Sequence, residues 1–304
     1  MNKLSKLFNF VGLLRDKNKA KLFVHQYQNK DGNKIYLQEM MHIAPTKFYE
    51  HVNQNIKNFI FDNDKKSKSS LILLEGIKNN VDENKFNGRD VAKQLQEIIA
   101  KLMFLDKDVS LSETYESFAY GLNWDSQKKD KYILNIDNEQ LIRADVFDYE
   151  LLDLLIERNI IHQINHKNSF FKNIPRRLLR TKDKLQNSAE KIKNSSVRQR
   201  FLRAIIRNTI ISNEEQSGLL FNLMKYQKTE QFAALFTFMD VILKERNKVL
   251  IDYIKKHHSE ASLFITYGKM HFINQDINSD YSIHAALRKL GYELIDDKQI
   301  FFEI

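Results

Sequence analysis

Cysteine is absent from this chain, and proline and glycine are scarce, with two prolines and eight glycines in 304 residues. The absence of cysteine excludes disulfides, thiolate ligands for zinc and a thiol nucleophile. Few prolines and glycines favour long regular elements over the turn-rich architecture of a β-sandwich. Hydrophobic residues make up 42% of the chain and charged residues 29%, which is typical of a folded protein with a substantial core.

A long hydrophobic run is also missing. No segment approaches the roughly 20 apolar residues of a membrane-spanning helix. The apolar run at 7–14 is short, is interrupted by Asn9 and leads into Arg15 without a small-residue cleavage motif, unlike a signal peptide. The sequence therefore predicts a cytoplasmic protein, with association at a membrane surface as an alternative.

Positive charge is concentrated in one region. Between Lys172 and Arg207, twelve lysines and arginines face only Asp183 and Glu190, a net of +10, while the whole chain carries +9 and the remainder therefore −1. A solvated helical face accounts for such a pattern, and attraction of 172–207 to an acidic protein or an anionic membrane surface is the alternative. Nucleic acid is the less favoured partner, because the segment has few aromatic residues and no nucleic-acid-binding motif.

Alternating strand and helix patterns predict the α/β fold class. Strand patterns at both ends of the chain indicate a central mixed sheet built from the N- and C-terminal halves and flanked by helices. We expect one domain, 1–304, that contains a basic helical insertion over 162–228. Predicted strands cover 20–29, 33–42, 71–75, two short stretches of 131–147, 262–267 and a closing pair, YELID and IFFEI. One predicted helix follows an N-cap at Thr46. Further helices are predicted over 90–104, 149–161, 229–257 and 281–289.

Three apolar strand patterns end in polar residues. IYLQEMMH ends at His42, LILLEGI contains Glu75, and SLFITYGKMH ends at His271. In open α/β sheets, ligands bind beyond the carboxyl ends of the strands. A lone histidine at a strand end is more often structural, but an unpaired carboxylate at the edge of a core is costly. Together, two imidazoles and a carboxylate are suited to binding a divalent metal or to acid–base chemistry.

Two further charged residues fall in unexpected places. Arg246 lies within the apolar stripe of the long predicted helix, between Leu243 and Leu250, so its guanidinium either meets a buried anion such as Glu75 or extends to solvent. Asp145 follows another predicted strand, where it either caps a helix, pairs with a neighbouring arginine or belongs to the same site.

The strand ends and charged residues described above resemble the pattern of the TraB/PrgY/GumN/Tiki family. The family pattern has two GxxH motifs, an intervening glutamate and an arginine shortly before the second motif. Here Gly268 and His271 form the second GxxH, while the first keeps His42 and has Glu39 in place of glycine. Glu75 and Arg246 match the glutamate and the arginine. The segments that carry the resemblance are 40–52, 71–77, 143–148, 245–254, 265–272 and 290–295.

The resemblance implies two similar halves that meet at a central sheet and, as in animal members of the family, metal-dependent peptidase activity. From this we expect a metal-dependent hydrolase acting on a peptide or amide bond. His42, His271 and Glu75 would bind the metal, with Glu75, Arg246 and Asp145 as catalytic residues. Zinc, manganese, cobalt and iron all suit such ligands. The alternative is a non-catalytic, TraB-like binding or regulatory protein, an interpretation that the loss of the first glycine favours.

Overall fold

The computed structural model describes residues 19–78, 91–102, 124–127, 131–158, 230–272 and 280–303. Within these ranges the chain forms eight strands and five helices. The strands are β1 (Lys19–Gln28), β2 (Lys34–Met40), β3 (Ile43–Pro45), β4 (Ser69–Leu74), β5 (Trp124–Ser126), β6 (Leu141–Arg143), β7 (Ala261–Gly268) and β8 (Glu293–Glu303). The helices are α1 (Thr46–Asp64), α2 (Val91–Leu102), α3 (Asp148–Glu157), α4 (Glu230–His257) and α5 (Ile283–Lys289).

Six strands form one mixed sheet in the order β6-β4-β7-β2-β1-β8. The first four strands in this order are parallel, and β1 runs antiparallel to both of its neighbours. Strand β7 comes from the C-terminal part of the chain and lies between β4 and β2 from the N-terminal part. The predicted α/β class and the mixed sheet drawn from both ends are confirmed.

Alternating residues of the central strands bury the two faces of the sheet. On one face, Phe264 of β7 packs with Met40 and Ile72 against Val52 and Ile56 of α1. On the other face, a second set packs against α4 and α5, and its members include Leu37, Leu73, Leu263, Ile265, Leu250, Ile254 and Leu287. Helix α1 and the pair α4–α5 therefore cover opposite faces of the sheet. Strand β7 is buried along its whole length, which explains its continuous apolar sequence.

Three details of the predicted secondary structure are wrong. Thr46 is the first residue of α1 rather than its N-cap, and its hydroxyl donates to Asp125 Oδ2 at 2.7 Å. The stretch Lys131–Ile133 forms a 3₁₀ turn rather than a strand. The C-terminal segment forms the single strand β8 rather than a pair of strands.

The predicted insertion at 162–228, its basic part at 172–207 and the apolar run at 7–14 all lie outside the described residues. The single-domain prediction for 1–304 therefore stays a prediction. Within the described ranges, no helix is long and apolar enough to cross a membrane.

Candidate functional site

The carboxyl ends of four parallel strands meet at one edge of the sheet. Strands β2, β4 and β7 lead to His42, Glu75 and His271, and β6 leads to Asp145. Helix α4 packs on the face of the sheet that carries Leu37, Leu73 and Leu263, and it contributes Arg246. The ends of separate strands and one helix thus bring distant polar residues to a common edge.

Arg246 lies at the centre of a buried ion cluster. Its Nη2 donates to Glu75 Oε1 at 2.9 Å and to Asp145 Oδ2 at 2.6 Å, and its Nε donates to Asp145 Oδ1 at 2.9 Å. All three residues are buried, with exposures of 9%, 6% and 0% for Arg246, Glu75 and Asp145. The guanidinium therefore meets buried anions and does not extend to solvent. Burial acts to lower the pKa of Arg246, but the two carboxylates outweigh it and raise that pKa.

Asp145 also accepts hydrogen bonds from the backbone just after β4 and just after β6. Its Oδ2 accepts from the backbone N–H of Gly76 at 2.8 Å, and its Oδ1 accepts from that of Val146 at 2.9 Å. Of the alternatives for Asp145, the helix cap is excluded, because the N-cap of α3 is Phe147. The ionic partner that the structure gives Asp145 is Arg246 on α4.

The imidazole of His271 is held in one tautomer by Asn247. The Asn247 Nδ2 group donates to the carbonyls of His271 and Tyr281, both at 3.1 Å, which fixes the orientation of the amide. Its Oδ1 lies 2.6 Å from His271 Nδ1 and can only accept, so Nδ1 carries the hydrogen. The lone pair of the neutral ring is therefore on Nε2, which lies 3.4 Å from Glu75 Oε1.

The electrostatics of the site keep Glu75 ionised and His271 neutral. Burial acts to raise the pKa of Glu75, but Arg246, His271 and His42 outweigh it and hold that pKa well below its usual range. Burial also lowers the pKa of His271, against the opposing effect of Glu75. An anionic carboxylate thus faces a ring nitrogen with a free lone pair.

The second oxygen of Glu75 is held by hydrogen bonds from two other segments. Oε2 accepts from the backbone N–H of Gly268 at 2.6 Å and from Gln127 Nε2 at 3.3 Å. The carboxylate forces the amide of Gln127 to present its nitrogen, because a carboxylate only accepts. Gln127 Oε1 is buried, and no described residue donates a hydrogen bond to it.

Glycines allow the backbone to approach the charged groups closely. A Cβ at Gly268 would lie 3.2 Å from Glu75 Oε2, a tight contact that would push the carboxylate away by a few tenths of an ångström. At Gly76 a Cβ would lie 2.5 Å from Arg143 Nη1, and the φ of +151° also favours glycine. The guanidinium of Arg143 therefore lies against the Glu75–Gly76 backbone at the exposed side of the cluster.

His42 is placed differently from the other predicted ligands. It follows β2 at the same edge of the sheet, but its side chain is exposed. Among the described residues, no three acidic or histidine side chains form a group that could hold a metal ion. The structure thus brings Glu75, Asp145, Arg246 and His271 together and leaves His42 at the rim.

Sequence reasoning missed Asn247 and Gln127. Asn247 carried a signal, because it lies three residues before Leu250 and four before Ile251 on the buried face of α4. Gln127 carried none, because it follows a three-residue strand, β5, whose pairing with β3 is not visible in the sequence.

Comparison with models of known protein families, with curated proteins and with solved structures finds no match to this chain. The function must therefore be argued from the geometry of the site.

Proposed function

We propose that the cluster around His271 and Glu75 is the active site of a hydrolase that cleaves peptide or amide bonds with the help of a divalent metal. One observation carries this proposal. Asn247 fixes the Nδ1–H tautomer of His271, so that the Nε2 lone pair faces the Glu75 carboxylate at 3.4 Å. An imidazole that donates one N–H to a carbonyl oxygen and keeps a lone pair on its other nitrogen is typical of both metal-binding and proton-accepting histidines.

The charge of the cluster favours a cation at this point. Glu75 and Asp145 bring two negative charges, and Arg246 returns one positive charge, so the three ion-paired side chains leave −1. Buried net charge is unfavourable unless it is compensated. The guanidinium of Arg143 lies against the cluster from its exposed side and supplies part of that compensation, and a metal ion on His271 Nε2 would supply more.

The spacing of the donors fits two ligands of one metal ion. Two atoms that each lie about 2.1 Å from a tetrahedral ion are about 3.4 Å apart, which is the distance between His271 Nε2 and Glu75 Oε1. His42 is the third proposed ligand, and its exposed side chain must turn inward to complete the set. A divalent ion bound here would lower the pKa of its bound water to near neutrality.

The chain's own residues supply the remaining chemistry. His271 Nε2 would bind the metal ion through its lone pair or, without metal, accept a proton from the attacking water, and Glu75 would stabilise the resulting positive charge. The low pKa of Glu75 suits it to a counter-ion or ligand better than to a proton acceptor. Arg246 and Asp145 position Glu75.

The test combines metal content with peptide cleavage. Protein purified without chelator is analysed for bound metals, and a mixture of acetylated peptides is followed by mass spectrometry. We expect about one divalent ion per chain, at least a tenfold loss of metal affinity in His271→Ala and His42→Ala, and loss of cleavage in both. His51→Ala, which removes an exposed imidazole from α1, serves as the matched control and should retain both properties.

Unchanged metal content in His271→Ala would contradict the ligand assignment. Metal-independent cleavage that disappears in His271→Ala would instead assign His271 as the proton acceptor. Absence of cleavage by the metal-loaded protein would contradict the hydrolase proposal.

One observation favours a non-catalytic binding protein as the second candidate. Glu75 already accepts hydrogen bonds from Arg246, Gly268 and Gln127, which is typical of a carboxylate with a positioning role. Metal or peptide binding without turnover is the outcome expected from this alternative. The attraction of 172–207 to acidic partners or anionic membranes stays a separate prediction, tested by salt-sensitive binding to anionic vesicles.

A further inference from the structure

A second cluster of ionisable side chains surrounds His25 on β1. In the antiparallel register His25 pairs with Asp297 of β8, and its Nδ1 lies 2.5 Å from Asp297 Oδ1. Its Nε2 faces Glu39 Oε1 of β2 at 3.8 Å. The imidazole therefore lies between two carboxylates that belong to the strands on either side of β1.

The two ring nitrogens of His25 cannot both be satisfied in the neutral state. A neutral imidazole has one N–H, whereas both of its nitrogens face acceptor-only carboxylates here. Nε2 is buried, and no described residue forms a hydrogen bond with it. Only the imidazolium, with two N–H groups, can donate to Asp297 and be attracted to Glu39 at the same time.

Other charged and titratable groups also face this cluster. Lys269, in the turn after β7, has its Nζ 3.8 Å from Glu39 Oε2, and the backbone N–H of Phe23 donates to that same oxygen at 2.9 Å. On α5, the ring of His284 contacts that of His25 edge-on at 5.1 Å, and its Nδ1 lies 2.6 Å from the Tyr27 hydroxyl. Glu39 Oε1 thus remains directed at His25 while Oε2 is engaged elsewhere.

The pKa values of the two histidines are shifted in opposite directions from the ordinary value. Burial lowers the pKa of His284 to about 4, with His25 and Arg288 acting in the same direction, so His284 stays neutral near physiological pH. Burial also acts to lower the pKa of His25, but Glu39 and Asp297 outweigh it and raise that pKa above its ordinary value. His25 is therefore the group of this pair that changes charge near neutral pH.

We propose that His25 is a pH-sensitive clamp that ties the edge strand β8 to β1 and β2 when its imidazole is protonated. Strand β8 lies at the edge of the six-stranded sheet, with only β1 beside it among the described strands. Loss of the proton leaves one N–H for two carboxylates and turns the Nε2 lone pair towards Glu39. The clamp lies on side chains outside the proposed catalytic cluster and does not depend on the proposed function.

The sign of the effect follows from the raised pKa of His25. The stabilisation is fully present below the ordinary histidine pKa of about 6.5. It is lost as the pH rises through the higher pKa of the folded state. Strand β8 should therefore be held most firmly on the acidic side of neutrality.

Hydrogen exchange of the β8 backbone amides from pH 5.5 to 8.5 tests the clamp, after correction for intrinsic exchange rates. We expect the protection of β8 to fall by roughly twofold to fivefold towards high pH, the range for a partly screened ion pair. Helix α1 serves as the internal reference and should show no such change. In His25→Gln the protection of β8 should not depend on pH, whereas His51→Gln, which alters an exposed histidine of α1, should behave as the wild type.

Asp297→Asn provides a second variant at a side chain that is 49% exposed, so its effect on folding should be small. We expect it to reduce the pH dependence of β8 protection and to lower the pKa of His25 measured by NMR titration. Protection of wild-type β8 that is constant with pH, or a pH dependence that survives in His25→Gln or Asp297→Asn, would overturn the proposal. A measured pKa of His25 below 6.5 would overturn it as well.

Discussion

At the scale of single residues, the buried charges of Arg246, Glu75 and Asp145 stabilise one another only as a set. Each loses its hydration on burial, and the mutual attraction offsets this cost only while every partner is present. Removing the single cation therefore has a larger effect than removing one of many apolar contacts.

Replacement of Arg246 by methionine tests this interdependence. We expect Arg246→Met to lower the free energy of unfolding by about 3–5 kcal/mol, because it leaves two buried carboxylates without their counter-ion. Urea denaturation followed by circular dichroism measures the change. Adding Glu75→Gln and Asp145→Asn should recover part of the loss, and failure of this triple variant to do so would contradict the electrostatic explanation.

The matched control is Lys248→Met, two residues further along α4. The Lys248 side chain is 49% exposed and pairs with Glu245 within the same helix. Its replacement should change the stability by less than about 0.5 kcal/mol.

The residues of the site differ in how far the sequence predicts them. Glu75 and Arg246 stand out because a charge within an apolar pattern needs a buried partner, and the structure pairs them. The exposure of His42 could not be predicted, because the side-chain direction of a residue after a strand depends on the turn that follows. Gln127 was not predictable, because its position depends on pairing between two three-residue strands, β3 and β5.

At the scale of elements, continuous apolar sequence identifies the central strand and a mixed pattern identifies the edge strand. Strand β7 is buried at every position, whereas β8 exposes Leu294 and Ile295. The long helix α4 was predictable for a related reason, because its stripe repeats over many turns. Short elements such as β3 and the 3₁₀ turn at Lys131–Ile133 are set by tertiary contacts and carry no such repeat.

Two leucine-to-alanine substitutions compare the central and edge strands with the same chemical change. Leu263 of β7 is fully buried, and Leu263→Ala should cost about 2–4 kcal/mol through lost apolar contacts and a residual cavity. Leu294 of β8 is 49% exposed, and Leu294→Ala should cost less than about 1 kcal/mol. Urea denaturation measures both, and equal losses would contradict the assigned positions of the two strands.

At the scale of the whole molecule, the sheet is completed by insertion of β7 between β2 and β4. Strands β2 and β4 do not pair with each other, and the core on both faces includes residues from the C-terminal part of the chain. The general architecture followed from strand patterns at both ends of the chain. The order of the strands could not be predicted, because it depends on pairing between strands that are far apart in the sequence.

Division of the chain before Glu230 tests this interlocking. The fragment 1–229 lacks β7, β8, α4 and α5, so we expect it to show no cooperative urea transition and no near-ultraviolet circular dichroism. Mixing it with the fragment 230–304 should restore part of both signals. A cooperative transition in the isolated N-terminal fragment would show that β2 and β4 form a stable core without β7.

The central position of β7 also has a consequence for synthesis on the ribosome. Strands β2 and β4 emerge early. Strand β7, which pairs with both of them, is translated some 190 residues after β4. During that interval the nascent chain presents two apolar strands with unpaired backbone groups, which is the condition that attracts chaperones or promotes aggregation. Slow translation between residues 75 and 260 should therefore lower the yield of native protein more than an equal delay after residue 268.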